Sequence, residues 1–133
     1  AYRGHRLNPS GVRGSPAEGR FVQQSHLMTP FWARRVTVAL AALIGLATLI
    51  PAQQLPDAPG TDKLHHVIAF AVLVLPMSFA KPHQFWRYAV YGIMFGIFIE
   101  LAQPFVNRSG EVGDVLADAC GITLGCAVGF VLG

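Results

Sequence analysis

A chain of 133 residues with 53% hydrophobic and only 13% charged side chains departs from the roughly 25% charged composition of ordinary soluble domains. Too few charges remain to clothe a soluble surface, and the apolar residues fall in blocks near the ~20 that a helix needs to cross a ~30 Å hydrocarbon core. The sequence is therefore read as an all-α integral membrane bundle of about four transmembrane helices behind an extended tail, and no nucleic-acid partner is expected of it.

Residues 1–29 form a basic tail in which Gly4, Gly11, Gly14, Gly19, Pro9 and Pro16 are scattered among arginines. Alone it should stay unstructured, so a larger membrane protein complex that holds it is the expected partner, with attraction to anionic headgroups as the alternative. The first span is placed at about 30–50, with Phe31 and Trp32 as interfacial aromatics beside Arg34 and Arg35, and a stop at Pro51. The second covers about 64–80 and closes at Lys81 and Pro82. The third covers about 85–105, although Pro104 should end regular helix just before Phe105. The fourth runs over about 113–133. No signal peptide is recognised, so the first span is expected to direct insertion.

Because a loose loop in lipid leaves its backbone unpaired, the loops must lie at the two surfaces. Arg3, Arg6, Arg13, Arg20, Arg34 and Arg35 precede the first span, and Lys81 and Arg87 surround the loop after the second. Both places should face the cytoplasm by the positive-inside rule, which puts both termini on the cytoplasmic side of a bacterial cytoplasmic (inner) membrane.

Close helix contact in lipid depends on small residues. Ala117, Gly121, Gly125 and Gly129 recur every four residues in the fourth span, and Gly92 and Gly96 lead to Glu100 in the third. The third and fourth helices are expected to pair tightly through them. Cys120 and Cys126 lie six apart on one helix, facing different ways, and are read as packing residues.

Polar residues gather at helix ends on the side away from the tail. Asp62, Lys63, His65 and His66 open the second span, Glu100 and Gln103 close the third, Arg108 and Glu111 lie in the next loop, and Asp114 and Asp118 open the fourth. Spacings of three and four put Glu100 with Gln103, and Asp114 with Asp118, on single helix faces. Ionisable groups inside a bilayer are costly and need partners or water, for which Arg108, His66 and Lys63 are available. Two readings stay open: a binding pocket, or a polar network that fixes the fold, with Thr61 or Asp62 capping the second helix. His66, Glu100 and Asp114 could supply metal ligands, but no diagnostic spacing appears, so no metal or other cofactor is expected. Ser109 lacks a Gly-x-Ser-x-Gly setting, and no catalytic residue is assigned.

Three blocks in order, Asp62 through Phe70, Ile99 through Gln103, and Arg108 through Gly121, resemble the VanZ-like family over about residues 31–133. The resemblance selects His66 over His65, since an Asp-Lys pair stands three residues before the family's histidine and seven before an aromatic, here Phe70. It also selects Glu100, Gln103, Arg108 and Asp114, while Asp118 stands where the family usually has Asn. The family is named for a protein that raises resistance to the glycopeptide teicoplanin, and many members are uncharacterised, so the resemblance implies a fold more than a reaction. The function expected first is a non-catalytic accessory subunit of a larger membrane complex, with a photosynthetic or respiratory assembly as a natural host. Binding of a cell-envelope lipid or glycopeptide at the polar cluster is the alternative, and a small transporter component the third.

Overall fold

The computed structural model describes residues 16–51 and 62–133, with the side chains of 16–29 left aside. Helix α1 spans Pro16–Thr48, α2 Asp62–Ala80, α3 Phe85–Ala102 and α4 Val112–Leu132, with 3₁₀ turns at Pro82–Gln84 and Gln103–Val106. Among the described residues, four helical segments are long and apolar enough to span a membrane, Pro30–Thr48, Asp62–Ala80, Pro82–Val106 and Val112–Leu132. The chain is a multi-pass membrane protein whose outer faces meet the lipid bilayer.

One boundary differs from expectation. Helix α1 starts at Pro16 rather than near Pro30, so the second half of the supposed extended tail is helical. Pro16 stands at the first helical position, which proline suits because its N–H would be unpaired there in any case. At 33 residues and 1.5 Å per residue, α1 is about 50 Å long. Residues 1–15, Thr61 and their expected roles lie outside the described residues. Pro30 and Pro76 both sit inside helices, where membrane helices tolerate a missing N–H because neighbours re-satisfy the freed carbonyl.

Helix α3 ends as its sequence predicts. Pro104 has no N–H to continue the α pattern, and the chain tightens into the 3₁₀ turn before Asn107 takes a left-handed φ of 58°, a conformation that asparagine adopts more readily than most. The Arg108 N–H then reaches back to the Gln103 carbonyl at 3.1 Å. Only a few residues separate this turn from α4, so α3 and α4 must be antiparallel neighbours.

The main helix pair, however, is α2 with α4, contrary to the expected α3–α4 pairing through the glycine stripe. Buried positions on α4 recur at Asp114, Ala117, Asp118, Gly121, Ile122, Gly125, Cys126 and Gly129, one continuous helical face. A Cβ at Gly121 would strike the Val67 carbonyl, one at Gly125 the Ala71 carbonyl, and one at Gly129 would lie 2.5 Å from Ser78 Cβ. The stripe thus brings two backbones together, as small residues do where lipid supplies no hydrophobic drive. Gly92 and Gly96 do turn α3 toward α4, where Ile122 and Asp118 occupy the space that a side chain would need. Phe70, Leu73, Val74, Ile99, Ile122 and Cys126 fill the interior between these three helices. Of the span of α1 only Ala33 is buried, while Phe31, Trp32, Val38, Leu43 and Leu46 are exposed.

Candidate functional site

The apolar interior gives way to polar side chains at one end of the bundle. There the N-termini of α2 and α4 meet the C-terminus of α3, and all three deliver ionisable groups inward. His66 lies one turn into α2, and Asp118 about 9 Å along α4 from its start by helix rise. Burial is deep: relative exposure is 0% for Asp118, 1% for Gln103, 3% for Asp114, 6% for His66 and 8% for Glu100.

The innermost contact pairs α2 with α4. His66 Nδ1 stands 2.8 Å from Asp118 Oδ1, with the ring N–H donating to the carboxylate, and the His66 ring lies parallel to Phe70 with centroids 6.5 Å apart. Among the described residues, Glu100 forms no ion pair with a basic side chain. Its Oε2 accepts the Glu111 backbone N–H at 2.8 Å, which ties the end of α3 to the start of α4. Nearer the surface, Lys63 Nζ bridges Glu111 at 3.1 Å and the buried Asp114 at 3.3 Å.

Glycines shape this end. A Cβ on Gly96 would fall 2.5 Å from Asp118 Oδ2, one on Gly110 2.5 Å from the Glu100 carbonyl oxygen, and one on Gly113 2.8 Å from Lys63 Cε. Gly96 and Gly113 open the room that the Asp118 and Lys63 side chains fill, and Gly110 lets the loop pass close to the backbone of α3.

Among the described residues, three acceptor atoms are left over. Glu100 Oε1, Gln103 Oε1 and Asp118 Oδ2 are buried with no hydrogen-bond partner, although buried polar groups are paired in the large majority of cases. Ligand atoms of His66, Glu100 and Asp118 lie within 4.8 Å of one another, as do those of Asp62, His66 and Asp114. The two triads share His66.

The pattern of the VanZ/LLP1 family matches residues 9–133. The chain belongs to the VanZ/LLP1 family. No curated protein and no solved structure matches it. The match begins well before residue 31, so in this VanZ/LLP1 protein the family pattern takes in much of the basic N-terminal segment as well as the four spans.

Seven of the eight polar residues singled out in the sequence of the VanZ/LLP1 chain, Asp62, Lys63, His66, Glu100, Gln103, Asp114 and Asp118, meet at this end. Arg108 does not join them. It donates from Nη1 to the Thr48 carbonyl at 3.2 Å and so ties the loop before α4 to the C-terminus of α1. His66 takes Asp118 rather than Glu100 as partner, and the residue that departs from the family's usual Asn is the most deeply buried acid of the group. Glu111, passed over as a loop residue, is used twice, through its backbone N–H and its carboxylate. Its position directly before the apolar run of α4 was the available signal, since a helix start needs side-chain and backbone partners for its first turn.

Proposed function

We propose that this VanZ/LLP1 protein is a non-catalytic accessory subunit of a larger membrane complex, with a photosynthetic or respiratory assembly of the bacterial cytoplasmic membrane as a natural host. The observation that carries the reading is helix α1. It leans on the bundle by one narrow side, leaves Phe31, Trp32, Val38, Leu43 and Leu46 uncovered, and continues from Pro30 back to Pro16. By rise per residue that extension reaches about 20 Å beyond the span. An arm of that length, which follows Arg3, Arg6 and Arg13 and is assigned to the cytoplasmic side by the positive-inside rule, suits a neighbouring protein better than it suits the chain's own small core. With both termini cytoplasmic, residues 1–29 and the free face of α1 form one docking element.

A second reading draws on the polar end of the bundle. Buried acceptors without partners favour binding of a cell-envelope lipid or a glycopeptide at the opposite surface, where Lys63 and Glu111 are exposed. Purification of the protein from its native membrane in mild detergent separates the two. Co-purification of a stoichiometric complex, weakened when residues 1–24 are deleted, supports the subunit role. A protein that travels alone overturns it.

A further inference from the structure

We propose that His66, Glu100 and Asp118 form a site for one divalent first-row transition-metal ion, zinc or manganese, that locks α2, α3 and α4 together at the polar end of the bundle. This goes beyond the docking role and departs from the sequence reading, which expected no metal.

The first support is convergence. Three separate helices bring one imidazole and two carboxylates to ligand-atom separations within 4.8 Å. First-row ions hold nitrogen and oxygen ligands at roughly 2.0–2.2 Å, so the ligands of one ion lie about 3–4 Å apart. Closing the triad onto an ion needs side-chain shifts of no more than about an ångström, and Glu100 ends a helix where such movement is cheap. Imidazole with carboxylates suits zinc, manganese or iron, whereas magnesium and calcium prefer oxygen alone.

The second support is independent of the distances. Asp118 Oδ2 and Glu100 Oε1 are buried without a hydrogen-bond donor, and these are the groups that an ion would engage. Gln103 Oε1, one residue-turn beyond Glu100, is orphaned in the same way. Gly96 keeps open the space into which Asp118 Oδ2 points, because any Cβ there would lie 2.5 Å from that oxygen.

Charge makes the third argument. Lys63 is committed to Glu111 and Asp114, and Arg108 to the Thr48 carbonyl. Among the described residues no lysine or arginine neutralises Glu100 or Asp118. Two carboxylates and a neutral imidazole carry the charge that one divalent ion cancels, and buried charges are paired or bound to metal because stripping an isolated one of water is prohibitively costly. The outer triad of Asp62, His66 and Asp114 shares its histidine with the inner one and includes the exposed Asp62, which provides a route of entry from the surface.

The test uses the full chain without an affinity tag of histidines. Replacing His5, His26, His65 and His83 by alanine leaves His66 as the last of the 5 histidines. This protein, stripped with EDTA in mild detergent, is titrated with Zn(II) for stoichiometry and with Mn(II) for pulsed electron paramagnetic resonance. Binding of about one equivalent is expected, with a single imidazole nitrogen coupled to Mn(II). Loss of a residue that merely hydrogen-bonds a metal ligand weakens metal sites about 10–100-fold, so losing a ligand itself in Asp118→Asn or Glu100→Gln should weaken binding at least about 100-fold. Both are isosteric, and Asp118→Asn installs the amide usual in the family. Failure to bind a stoichiometric ion, or undiminished affinity in both variants, overturns the proposal. Should the variants fail to fold, the nitrogen coupling in the parent chain decides: one coupled nitrogen upholds the site and none refutes it.

Discussion

Replacing Gly121 by alanine tests the α2–α4 contact that organises the bundle. The added Cβ meets the Val67 carbonyl oxygen and lies 3.0 Å from Val67 C and Cα. All three are backbone atoms in the interior of α2, so no rotamer change can yield and the two helices must part by about 1 Å. A gap of that size forfeits up to half of a contact worth ~0.15 kcal/mol, and over roughly forty atom pairs along the stripe the loss approaches about 3 kcal/mol. Overpacking in other cores costs a similar ~1–3 kcal/mol. Alanine returns up to about 1 kcal/mol as the better helix former, leaving a net loss near 2 kcal/mol. Gly45 on α1 is the control, because its nearest neighbour would be Phe95 Cζ at 3.8 Å, ordinary contact. Gly45→Ala should keep the propensity gain alone and match or exceed the parent. Unfolding by dodecyl sulfate in mixed micelles, followed by the fluorescence of Trp32 and Trp86, reads both. Equal or greater stability of Gly121→Ala, or a shared direction of shift in the two variants, would refute the close approach.

Lys63→Met and Glu111→Gln should differ although both break the same ion pair. Lys63 and Glu111 are half exposed, whereas Asp114 is only 5% exposed on its side chain, so losing the lysine strands a buried acid and losing Glu111 does not. The unfolding midpoint should therefore fall further in Lys63→Met, and an equal fall in the two would contradict the bridge to Asp114. Phe70→Ala removes a ring that is 1% exposed and packs between His66 and Phe95. The cost should be about 2 kcal/mol, below the ~3–5 kcal/mol of aqueous cores, because lipid already solvates an exposed ring and only the cavity contribution survives in full. Phe105→Ala, 90% exposed, should leave the midpoint unchanged in the same assay.

The spans were legible because hydropathy and bilayer thickness act locally. Residues 64–80 and 113–133 were placed within two residues of α2 and α4, and Pro104 was correctly read as the end of regular α3, since a missing N–H has its effect wherever it occurs. The early start of α1 has a signal in the sequence in Pro16, which suits a first helical position, but it is obscured by the arginine and glycine content around it. Helix pairing was less legible. A stripe of Gly121, Gly125 and Gly129 declares that something comes close without naming the neighbour, and a short loop argued for α3. The structure instead gives that stripe to α2, whose carbonyls at Val67 and Ala71 occupy it.

Partners within the polar end escaped for a related reason. Spacing along a helix sets which side chains share a face, and so Asp114 with Asp118, and Glu100 with Gln103, were grouped correctly. Across helices the choice depends on axial register, which no single-helix pattern contains. Register decides that His66 meets Asp118 and that Glu100 falls beside the Glu111 backbone. The same register explains why Arg108, one of the three cations available to the buried acids, serves another purpose. At the end of the α3 turn it is carried past the acids to the Thr48 carbonyl, where a cation beside the exposed C-terminal carbonyls of α1 is favoured by the helix dipole. Deprived of that guanidinium, Glu100 and Asp118 have only the His66 imidazole nearby, and it is bonded to Asp118 alone among the described residues; this deficit of positive charge, rather than the mere presence of acids, distinguishes the inner triad from a polar lock that is complete in itself.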